Sequence, residues 1–211
     1  LREAVAAYGA WTTGLGRKYR TREIGGGIDE AFQALAPLTV VKMRKLFISA
    51  GPKWTAFFQN DPQGSDPSSG GRVLSSELDV VGVRVCATPD DARYVGVMWE
   101  VWAPQGLRGD EWRNRRAVCM ANDGGRWVFE ESGEPFPFEE HERYRALRKR
   151  DRFTRDMLRR YLVASAADPF AEGVLQVNAQ SPAILLETEE RWADMPPEFS
   201  YAEARAAQKK K

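Results

Sequence analysis

The sequence predicts an α+β protein, with a twisted, mainly antiparallel sheet of about six strands and helices packed on it. Three observations support this class. Apolar and polar residues alternate in several short segments, as they do in half-buried strands. The segments are joined by short turn sequences, among which Asn-Asp-Gly-Gly at 122–125 is typical of a tight hairpin. Apolar residues at helical spacing occur near both ends of the chain and within 137–165.

Residues 1–37 are predicted to form an N-terminal helical segment. Leu1, Val5 and Tyr8 repeat at helical spacing, and the glycines that follow are expected to end this helix. Asp29 is a candidate N-cap for a second, short helix.

The sheet is predicted to occupy residues 38–132. Strand-like segments on either side of Gly51-Pro52 predict a hairpin, because this dipeptide is typical of a turn. The predicted elements of this region are strands over 39–49 and 53–60, a helix over 72–79, strands over 80–88 and 93–104, and a hairpin over 115–131.

A helical pair is predicted over 137–165. Glu139 and Glu140 favour the start of a helix from about 138 to 150, because the helix macrodipole stabilises anions at that end. Thr154 is a candidate N-cap for the second helix, with Phe153 and Leu158 as its hydrophobic staple.

The last part of the chain is predicted to contain a strand or edge element over 182–192. Ser200 and Glu203 form a capping-box signature for a C-terminal helix, which frays into a tail within 196–211. No linker is evident, so the sequence predicts a single globular domain over 1–211.

Composition and charge exclude several classes of protein. The 211 residues are 43% apolar and 29% charged, which is typical of a folded chain and not of a disordered one. With 31 basic and 30 acidic side chains, the net charge of +1 gives no overall attraction to nucleic acid or to an anionic membrane. No apolar run approaches the ~20 residues of a membrane span. We therefore expect a cytoplasmic protein with no membrane partner, and the sequence leaves homo-oligomerisation open.

Chemistry-bearing residues are sparse. His141 is the single histidine and lies among glutamates, where we expect it to be solvated. Cys86 and Cys119 lie in strand-like apolar runs, which predicts buried, reduced thiols, and neither has the close partners of a zinc site. The sequence contains neither a Walker A motif nor a nucleophile elbow. It therefore predicts no cofactor, metal or catalytic residue, and it leaves enzymatic activity open while favouring a non-enzyme.

Arginines form the first candidate binding surface. Arg148, Arg152, Arg155 and Arg159 step by four, three and four residues and would share one helical face if the helices of 137–165 were continuous. The cap expected at Thr154 favours two separate helices. Neighbouring aspartates favour a neutralised helix surface instead. A second basic stretch lies at 17–22, and if the two fold side by side they favour a nucleic acid or acidic partner.

Tryptophan provides the second candidate surface. The chain contains seven tryptophans, and Trp99 and Trp102 point to opposite faces of one predicted strand. Helices covering both faces are one explanation. The other is that Trp102 contacts a protein partner, because tryptophan is favoured at interaction surfaces.

The loop at 57–72 provides the third candidate. Its Asn, Asp, Pro, Ser and Gly residues predict a connector from a strand to a helix. The amides of Ser69, Gly70 and Gly71 beside Arg72 also suit an anion at a helix start. An enzyme site would require Asp61 or Asp66 to converge in a cleft with Arg72 or with the charges of another loop.

Three segments of the chain resemble a family of uncharacterised bacterial proteins. They are KWTAFFQN at 53–60, GSDPSSGGRVLSSELDVVGVRV at 64–85 and NDGGRWVFEESGEPFPFEEHERYRALRKRDRFT at 122–154. The resemblance implies a bacterial cytosolic protein and brings no activity or site residues.

The sequence therefore favours a non-enzymatic bacterial cytosolic protein that recognises another protein, such as an immunity-like or regulatory partner. Two alternatives stay open. One is a nucleic-acid-binding protein that uses the Arg-rich helices, and the other is an enzyme acting on a small anionic ligand at the 57–72 loop.

Overall fold

The computed structural model describes residues 1–40, 43–64, 66–102, 114–169, 171–189 and 197–209. It confirms the α+β class, with helices and two antiparallel sheets. The chain divides into two compact units, of which unit 1 comprises Leu1–Val73 with Pro169–Ala207 and unit 2 comprises Leu74–Asp168 with Gln208–Lys211. The single domain over 1–211 stays a prediction.

Five α-helices and nine strands are found in the described residues, so the predicted six strands were too few. In chain order they are α1 (Arg2–Gly14), β1 (Tyr19–Ile24), α2 (Ile28–Gln33), β2 (Arg44–Ala50), β3 (Trp54–Gln59), α3 (Ser68–Glu77), β4 (Gly82–Ala87), β5 (Gly96–Trp102), β6 (Asn114–Asp123), β7 (Arg126–Gly133), two short 3-10 helices (His141–Arg145 and Lys149–Asp151), α4 (Arg155–Ala164), β8 (Leu175–Gln176), β9 (Ala183–Thr188) and α5 (Tyr201–Gln208).

The sheet of unit 1 has the order β1-β9-β2-β3, with β8 pairing to β2 and all pairs antiparallel. The strand predicted within 182–192 is present, but β9 lies inside the sheet and not at its edge. Its run Ala-Ile-Leu-Leu at 183–186 is apolar on both faces, as in a strand covered on both sides. β1 was predicted only as a basic stretch; its polar side chains remain exposed while its backbone pairs with β9.

The two faces of this sheet are covered by different helices. On one face Leu46, Ile48 and Leu185 pack against residues of α2. On the other face the ring of Tyr8 in α1 makes edge contacts with Phe47 and Phe57, whose rings stack at 4.4 Å. Each face therefore has its own apolar layer.

Gly70 brings α3 close to this second layer. A Cβ at Gly70 would lie 2.9 Å from ring carbons of both Phe57 and Tyr8. We expect Gly70→Ala to lower the free energy of unfolding by about 1–3 kcal/mol, because overpacking moves these rings. The matched control is Gly9→Ala in α1, where a Cβ meets nothing within 4 Å. Urea denaturation should show Gly9→Ala neutral or up to ~1 kcal/mol stabilising, and an equal effect of the two changes would contradict the packing.

Unit 2 contains the sheet β4-β5-β6-β7, in which each strand pairs antiparallel with the next. The predicted β6–β7 hairpin is confirmed, with its positive backbone angles at Gly124 (φ 61°) and Gly125 (φ 100°). One face of the sheet, centred on Trp99 and Val118, packs against Leu158 and Leu162 of α4.

The prediction of a helix from about 138 to 150 is wrong. The segment instead forms the two 3-10 helices, separated by an extended backbone at Ala146 (ψ 141°). The acidic residues did not mark an exposed helix start, because the Glu139 side chain points inward to a buried arginine. The Thr154 cap is confirmed, since its hydroxyl accepts a hydrogen bond from the amide of Met157 at 3.3 Å.

Three further local predictions have clear outcomes. The capping box is confirmed, because the amide of Ser200 donates to Glu203 and the amide of Glu203 donates to the hydroxyl of Ser200. Asp29 is not the N-cap of α2, which begins after Gly27 at φ 121°. Cys86 is exposed and Cys119 half-buried, so the prediction of two buried thiols is wrong. Both lie opposite Met98, on either side of β5, on the face away from Trp99.

No helix in the described part of the chain is long and apolar enough to cross a membrane.

Candidate functional site

The most exposed large apolar side chain in the described residues is Leu147, at 97%. It lies between the two 3-10 helices of unit 2 and directly precedes Arg148, Lys149 and Arg150. An apolar side chain held in water next to three cations is unusual for a solvated connector. This combination makes the segment a candidate interaction surface.

The three cations and Trp127 of β7 line an open depression of about 360 Å³. We call Trp127 and residues 147–150 together the Leu147 surface. Its volume is near the lower end of the ~300–1,000 Å³ of small-molecule pockets, and its walls are cationic apart from the half-buried indole. The surface therefore combines an apolar anchor with a positively charged concavity.

Charge at this surface is only partly neutralised. Arg150 lies 3.8 Å from Asp151, and both side chains are about half exposed. Within the described residues neither Arg148 nor Lys149 has an ion-pair partner. The segment from Glu139 to Arg160 contains nine basic and five acidic residues. The local potential is therefore positive although the net charge of the chain is +1.

A buried arginine fixes the chain that leads into the surface. The Arg116 side chain is 1% exposed, and its guanidinium uses every N–H group. Nε and Nη2 donate to Glu139, Nη2 also donates to Glu131 at 2.6 Å, and Nη1 donates to the carbonyls of Ser132 and Gly133. Burial lowers the pKa of Arg116, but the hydrogen bonds and charges of Glu139 and Glu131 outweigh it and raise the pKa. The arginine is therefore a fully satisfied cation.

Two tyrosines extend this network. The Tyr144 hydroxyl donates to Glu139 at 2.8 Å and lies 2.9 Å from the Tyr161 hydroxyl. Since Tyr144 has one proton, Tyr161 must donate to Tyr144, and Tyr161 accepts from the amide of Glu140 at 2.7 Å. Burial raises the pKa of both tyrosines, so both stay neutral. The first 3-10 helix is thus anchored to α4 and to the sheet.

A second anchor holds the other end of the segment. Arg152 donates from Nε to the carbonyl of Ala146 at 2.8 Å, and its guanidinium lies 5.7 Å from the ring centre of Phe129. Residues 147–150 are therefore presented between two fixed points. A preorganised surface loses less conformational entropy on binding than a flexible loop does.

The predicted arginine stripe is not present as one surface. Arg148 lies in the depression, whereas Arg152 is used for anchoring and Arg155 lies 3.3 Å from Asp90. Arg159 is exposed on α4. The four do not share a face because the helices are not continuous, and the basic stretch at 17–22 belongs to unit 1.

The predicted Trp102 contact is not at the surface. Trp102 is buried and packs against Gly82. A Cβ at Gly82 would lie only 2.6 Å from the indole of Trp102, so this face of the strand is covered. None of the tryptophans in the described residues is exposed. Trp112, Trp192 and the acidic pair at 110–111 lie outside those residues.

The anion site predicted at 69–72 is incomplete, because α3 begins at Ser68 and already includes Gly71. Ser69 is exposed, but Gly70 is buried against aromatic rings. The amide of Gly71 donates to the carbonyl of Pro67 at 2.8 Å, the bond of a helical turn, so it is not available to a ligand. Arg72 lies within the helix.

The two acidic residues of the same loop make different contacts, Asp61 through its carboxylate and Asp66 through its backbone carbonyl. Asp61 accepts from the amide of Gln63 at 2.8 Å, and the Asp66 carbonyl accepts from the Gln59 side chain at 2.9 Å. His141 is partly exposed, with Nε2 at 3.8 Å from Glu131, at the outer edge of the Arg116 network.

Sequence reasoning missed Leu147, the Arg116 network and a buried lysine, Lys45. Leu147 lies within the helix that the sequence predicts, where a single leucine gives no signal of a site. Lys45 and Arg116 carried a usable signal, because each is a basic residue inside a strand-like run with apolar neighbours.

Comparison with protein-family models, with curated proteins and with solved structures finds no match for this chain. The indications of function therefore lie in the chemistry of the site.

Proposed function

We propose that the protein is a non-enzymatic binding protein that recognises an acidic protein partner through the Leu147 surface. The observation that carries the proposal is the 97% exposed Leu147 beside Arg148 and Lys149, neither of which has an ion-pair partner among the described residues. An aliphatic anchor gains binding energy when it enters an apolar pocket of another protein. Arg148 and Lys149 would then face acidic groups around that pocket, which sets specificity and association rate.

A bacterial cytosolic setting, with an immunity-like or regulatory partner, is part of this proposal and rests on the resemblance of the sequence. We infer binding and not catalysis, because the buried ionisable groups next to the Leu147 surface already form hydrogen bonds with one another. Arg116 and Glu139 satisfy each other, and both tyrosines of the network are held neutral.

A single-stranded nucleic acid is the competing ligand, because Trp127 lies beside three cations in the same depression. Aromatic rings next to cations suit base stacking and phosphate contact. The exposed Leu147 favours a protein, since a phosphate backbone offers no apolar pocket. The global net charge of +1 also gives nucleic acid no long-range attraction.

We expect Leu147→Ser to abolish capture of a cytosolic protein partner while leaving the free energy of unfolding within about 0.5 kcal/mol, because the side chain is exposed. The measurement is affinity capture from bacterial cytosol with nuclease-treated and untreated extracts. Leu15→Ser is the matched control, since Leu15 is 56% exposed and belongs to unit 1. It should retain the partner.

Charge reversal provides the second arm. Arg148→Glu combined with Lys149→Glu should weaken the same capture and reduce its dependence on salt. Partner capture that is unchanged by Leu147→Ser and by the double charge reversal would contradict the proposal. Retention lost after nuclease treatment, with salt-sensitive binding of a labelled oligonucleotide, would assign the surface to nucleic acid instead.

A further inference from the structure

A buried lysine lies in unit 1, apart from the Leu147 surface. Lys45 of β2 is 4% exposed, and its ammonium donates a hydrogen bond to the side-chain oxygen of Gln59. The amide of Gln59 is fixed in this orientation, because its nitrogen donates to the carbonyl of Asp66 at 2.9 Å. Within the described residues Lys45 forms no ion pair. A lysine is almost never fully buried without one.

Apolar side chains flank Lys45 on its face of the sheet. Leu186 of β9 pairs with it, and Phe47 is the next residue of β2 on the same face. The ring of Tyr8 packs on Phe47 and on Tyr19 of β1, and so covers this part of the sheet. An ammonium in such a place loses hydration that a neutral amide only partly replaces.

A second polar group on this face lacks a partner. Thr188 is 7% exposed, and its hydroxyl makes no hydrogen bond within the described residues. Its amide donates to the carbonyl of Met43, two residues before Lys45, so Thr188 and Lys45 are diagonal neighbours on one sheet face. A buried hydroxyl without a partner is rare and indicates a missing ligand or water.

We propose that Lys45 and Thr188 form a binding site for a small anion of chloride or formate size. Lys45 supplies the charge and has two N–H groups beyond the one used by Gln59. Thr188 supplies a hydroxyl that can rotate to donate. A neutral water would satisfy the hydroxyl but not the charge. Since both side chains are more than nine-tenths buried, the ligand must be small.

Electrostatics around Lys45 agree with this assignment. The pKa of Lys45 is lowered to about 8, mainly by burial and also by the charge of Arg17, while the charge of Asp61 acts in the opposite direction. Asp61 therefore compensates the lysine only in part, and its carboxylate already accepts from the amide of Gln63. A bound anion would supply the rest of the compensation.

The test is thermal unfolding at pH 7 and constant ionic strength, with a bulky anion replaced stepwise by formate or chloride. We expect the midpoint temperature to rise and to saturate with formate or chloride concentration. Lys45→Met should not show this rise. In Thr188→Val the anion concentration that gives half of the rise should be at least tenfold higher than in the unchanged protein. Lys53→Met, at an exposed lysine of the β2–β3 turn, should keep the full response.

Absence of a saturable rise in the unchanged protein would overturn the proposal. An equal response in Thr188→Val and in the unchanged protein would also overturn it, and this variant keeps the test decisive if Lys45→Met does not fold. A direct readout is the ¹⁵N resonance of the Lys45 ammonium. It should move on addition of formate and return when formate is removed.

Discussion

Replacing Glu139 with glutamine is expected to lower the free energy of unfolding by about 3–5 kcal/mol. The Glu139 side chain is fully buried and accepts hydrogen bonds from Arg116, from Tyr144 and from the amide of Phe136. Removing its charge leaves the buried guanidinium with Glu131 as its remaining carboxylate partner among the described residues. Breaking one side of a buried pair is costly because the other charge keeps its full desolvation penalty.

The measurement is urea denaturation at pH 7, followed by tryptophan fluorescence. Glu142→Gln is the matched control, because the Glu142 side chain is 86% exposed and lies 3.7 Å from Arg145, which is also exposed. It should change stability by less than ~0.5 kcal/mol. Similar effects of the two substitutions would show that Glu139 is not a buried partner of Arg116.

A double substitution separates the pair from its parts. Arg116→Met with Glu139→Leu removes both charges, so its loss of stability should be smaller than the sum of the two single losses. Glu139→Gln should also weaken partner capture, because Glu139 and Tyr144 anchor the segment that presents Leu147. If the stability losses of Arg116→Met and of Glu139→Leu add up to the loss of the double variant, Arg116 and Glu139 are not energetically coupled.

Replacing Lys45 with methionine is expected to change how stability depends on pH. The pKa of Lys45 is about 8 in the folded protein and 10.5 when unperturbed, mainly because of burial. Between these values the unfolded chain holds a proton that the folded protein has released, so stability rises with pH. Below pH 8 the Lys45 ammonium is charged in both the unfolded and the folded protein, and the folded protein bears the whole free-energy cost of burying that charge.

The free energy of unfolding of Lys45→Met, minus that of the unchanged protein, should therefore fall by about 2 kcal/mol between pH 7.5 and pH 9.5. The measurement is urea denaturation at both pH values, in a buffer whose only anion is bulky, so that the proposed anion site stays empty. Lys53→Met should show no such trend. A constant difference for Lys45→Met at all pH values would mean that Lys45 titrates in the folded protein as it does in water.

Local signals were sufficient wherever the contact spans a few residues. Thr154 caps α4 through the amide three residues ahead, Ser200 and Glu203 cap α5 in the same way, and the glycines after Asp123 make the β6–β7 turn. Residue type decides such features, because a hydroxyl or a positive φ acts on the adjacent backbone. The α+β class followed from the same local patterns.

The sites could not be predicted in this way. Glu139 has the features of an anion at a helix start, yet it pairs with Arg116, 23 residues earlier. The helix then gives way to two 3-10 turns, and the exposure of Leu147 follows from that change.

By itself the sequence determined the class, the β6–β7 hairpin, the caps of α4 and α5, and the lack of familiar catalytic motifs. Only the tertiary structure decided that β9 lies between β1 and β2, and that Leu147 stands in water beside Arg148 and Lys149. It also decided that Lys45 is buried with no ion pair in the part of the chain that the structure describes. The physical reason is that burial and charge compensation depend on residues far apart in the chain. A local pattern encodes the propensity of a segment but not the identity of the groups that will surround it.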